Sequence, residues 1–363
     1  MKQKSYKTKT TLLLGSMLCA FVSLFASCNV FEYPEPCDDP LPAPNKVKVH
    51  LKLVYSPDFY IWNHTYDSKS GKIVESDPSL DIFPDYPGTS SKYTNLLPEG
   101  VMDVSVKVYQ TNSSNLYADE TFSQTLDGET YDRLIEMELD ELSSYQVAVW
   151  SHLKEDSKTE AFYDASDFNR VGLISDNYQA NTDYRDGYSS KIGIETVRSE
   201  EEEIFEVEMT RPMGKFEIVA TDLQAFLQKE TQRRGLASPA KAEEYHVVIS
   251  FPYYYPSSYS VIDDRLENAV AGVSFRSKME SLNDNEASLG FEYVMLNDIA
   301  DSGVQMRVEI YDPSFTQVAS TSTMTIPMRR DHHTVIKGEF LSTEGNGGIG
   351  IDPGFNGDHN ITV

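Results

Sequence analysis

Histidines, cysteines and carboxylates are the groups in this sequence that could do chemistry, and their spacing decides how much. The seven histidines are His50, His64, His152, His246, His332, His333 and His359. None forms the H-x-x-x-H or H-E-x-x-H spacing that puts two imidazoles on one helical face, so zinc hydrolysis lacks its usual scaffold. The densest cluster is Asp331-His332-His333. Neighbouring strand residues leave opposite faces, so these imidazoles read as solvent-exposed strand histidines rather than as ligands of one metal. No G-x-S-x-G elbow and no phosphate-binding P-loop is present. With 57 acidic residues, carboxylate pairs abound, and none is singled out by context for glycoside hydrolysis. Asp352-Pro-Gly-Phe-Asn-Gly-Asp358 offers oxygens to calcium but lacks the alternate-position ligands and closing Glu of a calcium loop. It reads as a turn, with Gly354 and Gly357 supplying positive φ. The aromatic run Phe251-Pro-Tyr-Tyr-Tyr-Pro256 is either a glycan-stacking platform or an edge-strand end whose rings cover the core. No enzyme, metal or cofactor is expected from these residues.

The cysteines point to an address rather than a reaction. Lys2, Lys4, Lys7 and Lys9 precede an apolar stretch from Thr10 to Ala26 that is shorter than a spanning helix. That is the layout of a signal peptide, residues 1–27. Leu24-Phe-Ala-Ser-Cys28 resembles a lipobox, with cleavage between Ser27 and Cys28 and lipidation of Cys28. Cys19 leaves with the leader, so Cys37 has no partner for an intramolecular disulfide and the fold must rest on its core. Residues 28–44 form a tether containing Pro34, Pro36, Pro40, Pro42 and Pro44, which favours extended polyproline geometry. Glu32, Glu35, Asp38 and Asp39 keep that tether hydrated, and acids so close to the lipidated cysteine resemble the surface-export signal of Bacteroidetes lipoproteins.

Charge excludes one class of partner. The formal net charge is −26, and loss of the leader removes four lysines and no acid, taking it to −30. A nucleic acid needs the opposite sign.

The elements that must carry all this are strands. Lys46 to Tyr55 alternates without a break, with Val47, Val49, Leu51 and Leu53 on one side and Lys46, Lys48, His50 and Lys52 on the other. The same period of two returns at Val104–Val108, Tyr145–Val149, Phe205–Met209, Phe216–Ile218, Val304–Ile310 and His332–Leu341. Asp222 is placed to cap a short helix from Leu223 to Lys229, and Tyr131–Leu142 fits either periodicity. Residues 56–99 read as a long excursion rich in Ser, Pro, Asp and Tyr. The expectation is an all-β chain of two sandwiches, 45–210 and 211–363, divided where Arg211-Pro212 interrupts the ladder.

With the leader and tether, three segments resemble the fimbrillin-like lipoproteins of Bacteroidetes. They are Arg211-Pro-Met-Gly-Lys-Phe-Glu-Ile-Val-Ala-Thr-Asp222, Tyr145-Gln-Val-Ala-Val-Trp150, and the tail from Ile326 to Leu341 followed by Gly347 to Asp358. The resemblance implies two transthyretin-like β-sandwiches and a structural subunit of a cell-surface fimbria, of anchor or accessory (tip) type. It implies assembly with other fimbrial subunits by strand addition, with Val47, Val49, Leu51 and Leu53 as the strand-exchange core. It also implies an outer-membrane, surface-exposed location, and host or bacterial surface ligands as further partners. In the family's polymerising pilins a protease cuts after a basic residue near the first strand. Here no arginine precedes Arg133, which leaves Lys69, Lys72 and Lys92 as candidate sites. The alternative function is a surface glycan-binding lipoprotein of a polysaccharide-uptake system.

The lipobox reading has a direct consequence. Cys28→Ala should abolish palmitate labelling and release the protein from membranes, because acyl chains are then its only anchor. Labelling that persists in the variant defeats that reading.

Overall fold

The protein is described by a computed structural model. It covers residues 45–55, 59–76, 100–111, 115–126, 133–158, 161–174, 180–195, 203–298 and 302–342. The first strands in chain order are β1 (Lys46–Tyr55), β2 (Tyr60–Asp67), β3 (Lys72–Glu75), β4 (Gly100–Gln110) and β5 (Leu116–Leu126). Next come β6 (Arg133–Asp140), β7 (Ser144–Lys154), β8 (Tyr163–Asp164), β9 (Val171–Leu173), β10 (Gly187–Glu195) and β11 (Glu203–Met209). After these run β12 (Met213–Ala220), the helix α1 (Leu223–Arg233), β13 (His246–Ser260), β14 (Arg265–Lys278) and β15 (Glu280–Ser281). The series closes with β16 (Ala287–Met295), β17 (Ser302–Tyr311), β18 (Gln317–Ser320), β19 (Met324–Met328) and β20 (His332–Gly338). No helix among the described residues is long and apolar enough to cross a membrane.

The period-two segments become strands because alternation gives each one apolar face to bury. In the first sandwich the sheet β11-β1-β6 faces the sheet β10-β7-β4-β5. Val49, Leu51 and Leu53 of β1 meet Met137 and Leu139 of β6, Val207 of β11, and Val104, Val106 and Val147 of the opposite layer. The second sandwich sets β15-β16-β12-β20-β2-β3 against β18-β17-β13-β9-β8, with β14 on β13 and β19 on β17. Phe216, Ile218, Val247, Ile249, Met306 and Val308 lie in its core.

Three sequence expectations change. The 56–99 excursion contains two strands: β2 runs parallel to β20 from Tyr60 to Tyr66, and β3 closes a hairpin on it. Its burial is not simple alternation, since Trp62, Asn63 and His64 are all buried between neighbours, so a period of two could not reveal it. Tyr131–Leu142 resolves as strand β6 because β1 offers it a ladder from Lys46 to Leu53. Asp222 does precede a helix, but its side chain makes no cap. The carboxylate instead accepts from the amides of Leu341 and Ser342, at 3.3 Å and 2.7 Å, and pins the end of the last strand.

Residues 210 and 211, where the sequence reading divides the chain, lie between β11 and β12. Yet β2, β3, β8 and β9, which precede them, pair within the second half's sheets. The two sandwiches accordingly belong to one packed unit. A third apolar cluster joins them, with Trp150 and Ala148 of β7 against Phe168, Met213, Tyr259 and Tyr293.

The glycine of the Arg211-Pro-Met-Gly-Lys segment is there for space. A Cβ on Gly214 would stand 2.3 Å from the carbonyl oxygen of Arg329, which is backbone and cannot turn aside. Gly214→Ala should therefore cost about 3 kcal/mol or more by overpacking. Gly193→Ala on β10, where nothing lies within 4 Å, should stay within about 0.5 kcal/mol of the parent. Urea midpoints of the two variants measure the contrast.

Candidate functional site

Strand β1 is the residue set with the clearest structural singularity. It lies between β6, antiparallel from Lys46 to Leu53, and β11, parallel from Val49 to Tyr55. Among the described residues neither neighbour has another ladder in that sheet; Thr210, just past β11, forms an isolated bridge with Ser189. Of the four predicted exchange residues, Val49, Leu51 and Leu53 are fully buried, while Val47 is half-buried at the rim. On the opposite face, Lys48 meets Glu136 at 2.8 Å, and Lys46 meets Asp140 at 2.5 Å. The exposed Lys48–Glu136 pair is worth about 0–1 kcal/mol, so the apolar face and not this charge pair holds the strand. Burying three aliphatic side chains contributes on the order of 5–9 kcal/mol before entropy is subtracted.

Several predicted positions lie outside the described residues: Ser27, Cys28, Cys37, His359, Lys92 and the Asp352–Asp358 segment. Lys69 and Lys72 are exposed; Lys69 sits in the tight turn between β2 and β3, and Lys72 opens β3, paired with Asp67. In the turn Asp67 accepts from the amide of Lys69 at 3.0 Å and the hydroxyl of Ser70 at 2.7 Å, while Gly71 adopts φ +66°.

The histidines separate as adjacent strand residues must. His333 is buried, not solvent-exposed as expected, because β12 and β2 cover β20 on both edges. Burial holds its imidazole below the ordinary range although Glu217 approaches to 3.4 Å. His332 is half-exposed, with Nδ1 2.6 Å from the carbonyl of Arg330. Among the described residues no three His, Cys, Asp or Glu side chains gather as a metal site.

What sequence reasoning missed is a buried polar cluster where the chain passes from one sandwich to the other. Arg211 donates through Nε to both carboxylate oxygens of Asp186, at 2.9 Å and 3.0 Å, and through its amino group to the Tyr188 hydroxyl at 2.5 Å. Its guanidinium lies 4.0 Å from the Phe59 ring centroid, a cation–π contact. Nearby, Lys215 meets Asp183 at 2.7 Å and Arg185 meets Glu292 at 2.7 Å. Burial raises the Asp186 carboxyl against the pull of Arg211. Burial also opposes ionisation of Asp183, but Lys215 outweighs it and the carboxyl ends below its usual range. Arg211 and Lys215 belong to the segment that carried the sequence resemblance. Nothing local to them announces the partners, which come from residues 183–188, 292 and 331.

A groove of about 710 Å³ opens beside β2 and β3, with Tyr253 and Tyr254 on its wall. The aromatic run is thus divided: Phe251 and Tyr255 enter the core, whereas Tyr253 and Tyr254 face outward.

With this architecture in view, a family model described as a family of unknown function, DUF6562, matches residues 101–363. The chain belongs to the DUF6562 family. No curated protein matches it. Among solved structures, this DUF6562 chain is similar to a candidate polysaccharide-binding protein of Bacteroides thetaiotaomicron, at 12% identity and a TM-score of 0.42 over 76% of this chain and 80% of that one. It is similar to a candidate cell adhesion protein of Parabacteroides distasonis, at 11% and 0.42 over 81% and 88%. It is also similar to the fimbrial anchor protein Mfa2 of Porphyromonas gingivalis, at 10% and 0.38 over 76% and 82%.

His152 supplies the pH test for this DUF6562 protein. It is buried on β7 opposite Asp103 of β4, and its Nδ1 accepts from the Trp150 indole at 3.2 Å. Burial pushes its pKa down to about 4, with Lys154 adding to the effect and Asp103 opposing it. The unfolded chain therefore binds this proton first, so the stability that the neutral ring contributes is present above pH ~6.5 and lost as pH falls toward 4. The loss should approach ~3 kcal/mol. His152→Gln, which keeps an acceptor for Trp150, should flatten the fall in melting temperature between pH 6.5 and 4.5.

Proposed function

We propose that this protein is a non-enzymatic structural subunit of a cell-surface fimbria, of anchor or accessory type, held at the outer membrane by lipid on Cys28. Its partners on this reading are other fimbrial subunits, joined by strand addition, and surface ligands of host or bacterium; nucleic acid is excluded by charge. The observation that carries the reading is the position of β1. It is the strand nearest the tether and, among the described residues, the only ladder partner of both β6 and β11 within their sheet. Taking it away would leave two open edges flanking an apolar slot, which is the receptor that an added strand requires.

The same geometry favours an anchor over a shaft unit. A cut after Lys69 or Lys72 would detach β1 from the first sandwich and also β2 from its seven-residue pairing with β20 in the second. Both cores would open at once, and neither lysine lies in a free extended loop: Lys69 is in a hydrogen-bonded turn and Lys72 is paired in β3. With β1 retained, the slot stays filled and the lipid stays attached.

N-terminal sequencing of protein taken from cells tests this. The expected result is a blocked, lipidated Cys28. A start at Ser70 or Ile73 would show that the strand is removed and would make the protein a shaft unit instead.

A further inference from the structure

The groove beside β2 and β3 is independent of strand addition and has a composition of its own. Its two tyrosines owe their orientation to a bulge, the break in the β13–β14 register between Phe251 and Tyr254. On an uninterrupted strand, consecutive side chains leave opposite faces. The bulge lets Tyr253 and Tyr254 both reach solvent, 54% and 78% exposed, while Phe251 and Tyr255 remain in the core. Bulges re-aim side chains in this way at sites of function. Across the groove stand Glu75 of β3 and Gln305 of β17. Glu75 is held in place by Trp62, whose indole donates to Oε1 at 2.9 Å while the Arg329 guanidinium lies 3.9 Å from the ring centroid.

We propose that this groove binds a neutral oligosaccharide. Exposed tyrosine rings cover the C–H faces of pyranose rings, and a carboxylate and an amide together accept from and donate to hydroxyl groups. The volume lies within the range of small-ligand sites and leaves room for two or three sugar rings. Neutrality follows from the chain's charge of −26, which repels sulfated, sialylated or uronic acid polymers. An extended peptide is a poorer occupant. The groove's strands β3 and β19 are four and five residues long, too short to hold one by a main-chain ladder.

Affinity electrophoresis of the mature protein through gels containing soluble neutral polysaccharides (starch, mixed-linkage β-glucan, galactomannan, arabinoxylan) tests this, with heparin as the anionic comparison. At least one neutral polymer should retard the protein and heparin should not. Tyr253→Ala with Tyr254→Ala should weaken the retardation at least tenfold with the melting temperature unchanged, since both rings are exposed. Tyr254→Phe should stay within about twofold of the parent. No retardation by any neutral polymer, preference for heparin, or equal retardation of the double variant would overturn the proposal. None of these outcomes bears on whether β1 is retained.

Discussion

Among the described residues, strands β6 and β11 have one ladder partner in their sheet, and it is β1. The first sandwich therefore depends on the ten residues of β1. Its pairing with β11 joins Val49 to Glu203, a contact distant in sequence whose loop entropy must be met before the ladder returns anything. The local hairpins, such as β4–β5, can form without it. The sheet β11-β1-β6 cannot, and neither can the burial of Met137, Leu139 and Val207 against it. The parallel pairing of β2 with β20 is more distant still, joining Tyr60 to His332.

The passage from one sandwich to the other is governed by a different constraint. The chain passes Arg211-Pro212 through a fully buried region. Arg211, Lys215 and Arg185 are there nonetheless, each matched to a carboxylate. Pairs of this kind gain little net stability over apolar packing, but losing one partner leaves an uncompensated buried charge. Their contribution is to fix which segments meet. Asp331 illustrates this: it takes a left-handed backbone conformation, φ +56°, because its amide donates to Met213 and its carbonyl accepts from Tyr60. Those two bonds tie β12, β20 and β2 to a single register.

The groove tyrosines and β1 draw on separate resources of the same architecture. β1 acts through backbone pairing and an apolar face. Tyr253 and Tyr254 act through a local failure of pairing, the bulge, which would be a defect in β1 and is what exposes two adjacent rings in β13.

The sequence alone determined what depends on neighbours along the chain. Alternation placed β1, β4, β7, β11 and β17, since a sheet with one buried face imposes a period of two on each of its strands. It also placed the helix after Asp222 and the break between β11 and β12. It misread segments whose environment is set on both faces or from far away. β2 lost its period because three consecutive residues are covered, and β6 became a strand only because β1 lay beside it. Asp222 left its helix for the amides of Leu341 and Ser342. His333 is buried by strands that begin 273 and 120 residues earlier in the chain. The partners of Arg211 were equally invisible, because a salt bridge leaves no periodic trace. Tertiary structure decided these positions, since burial and pairing there are properties of the strands that cover a residue and not of the residues beside it in sequence.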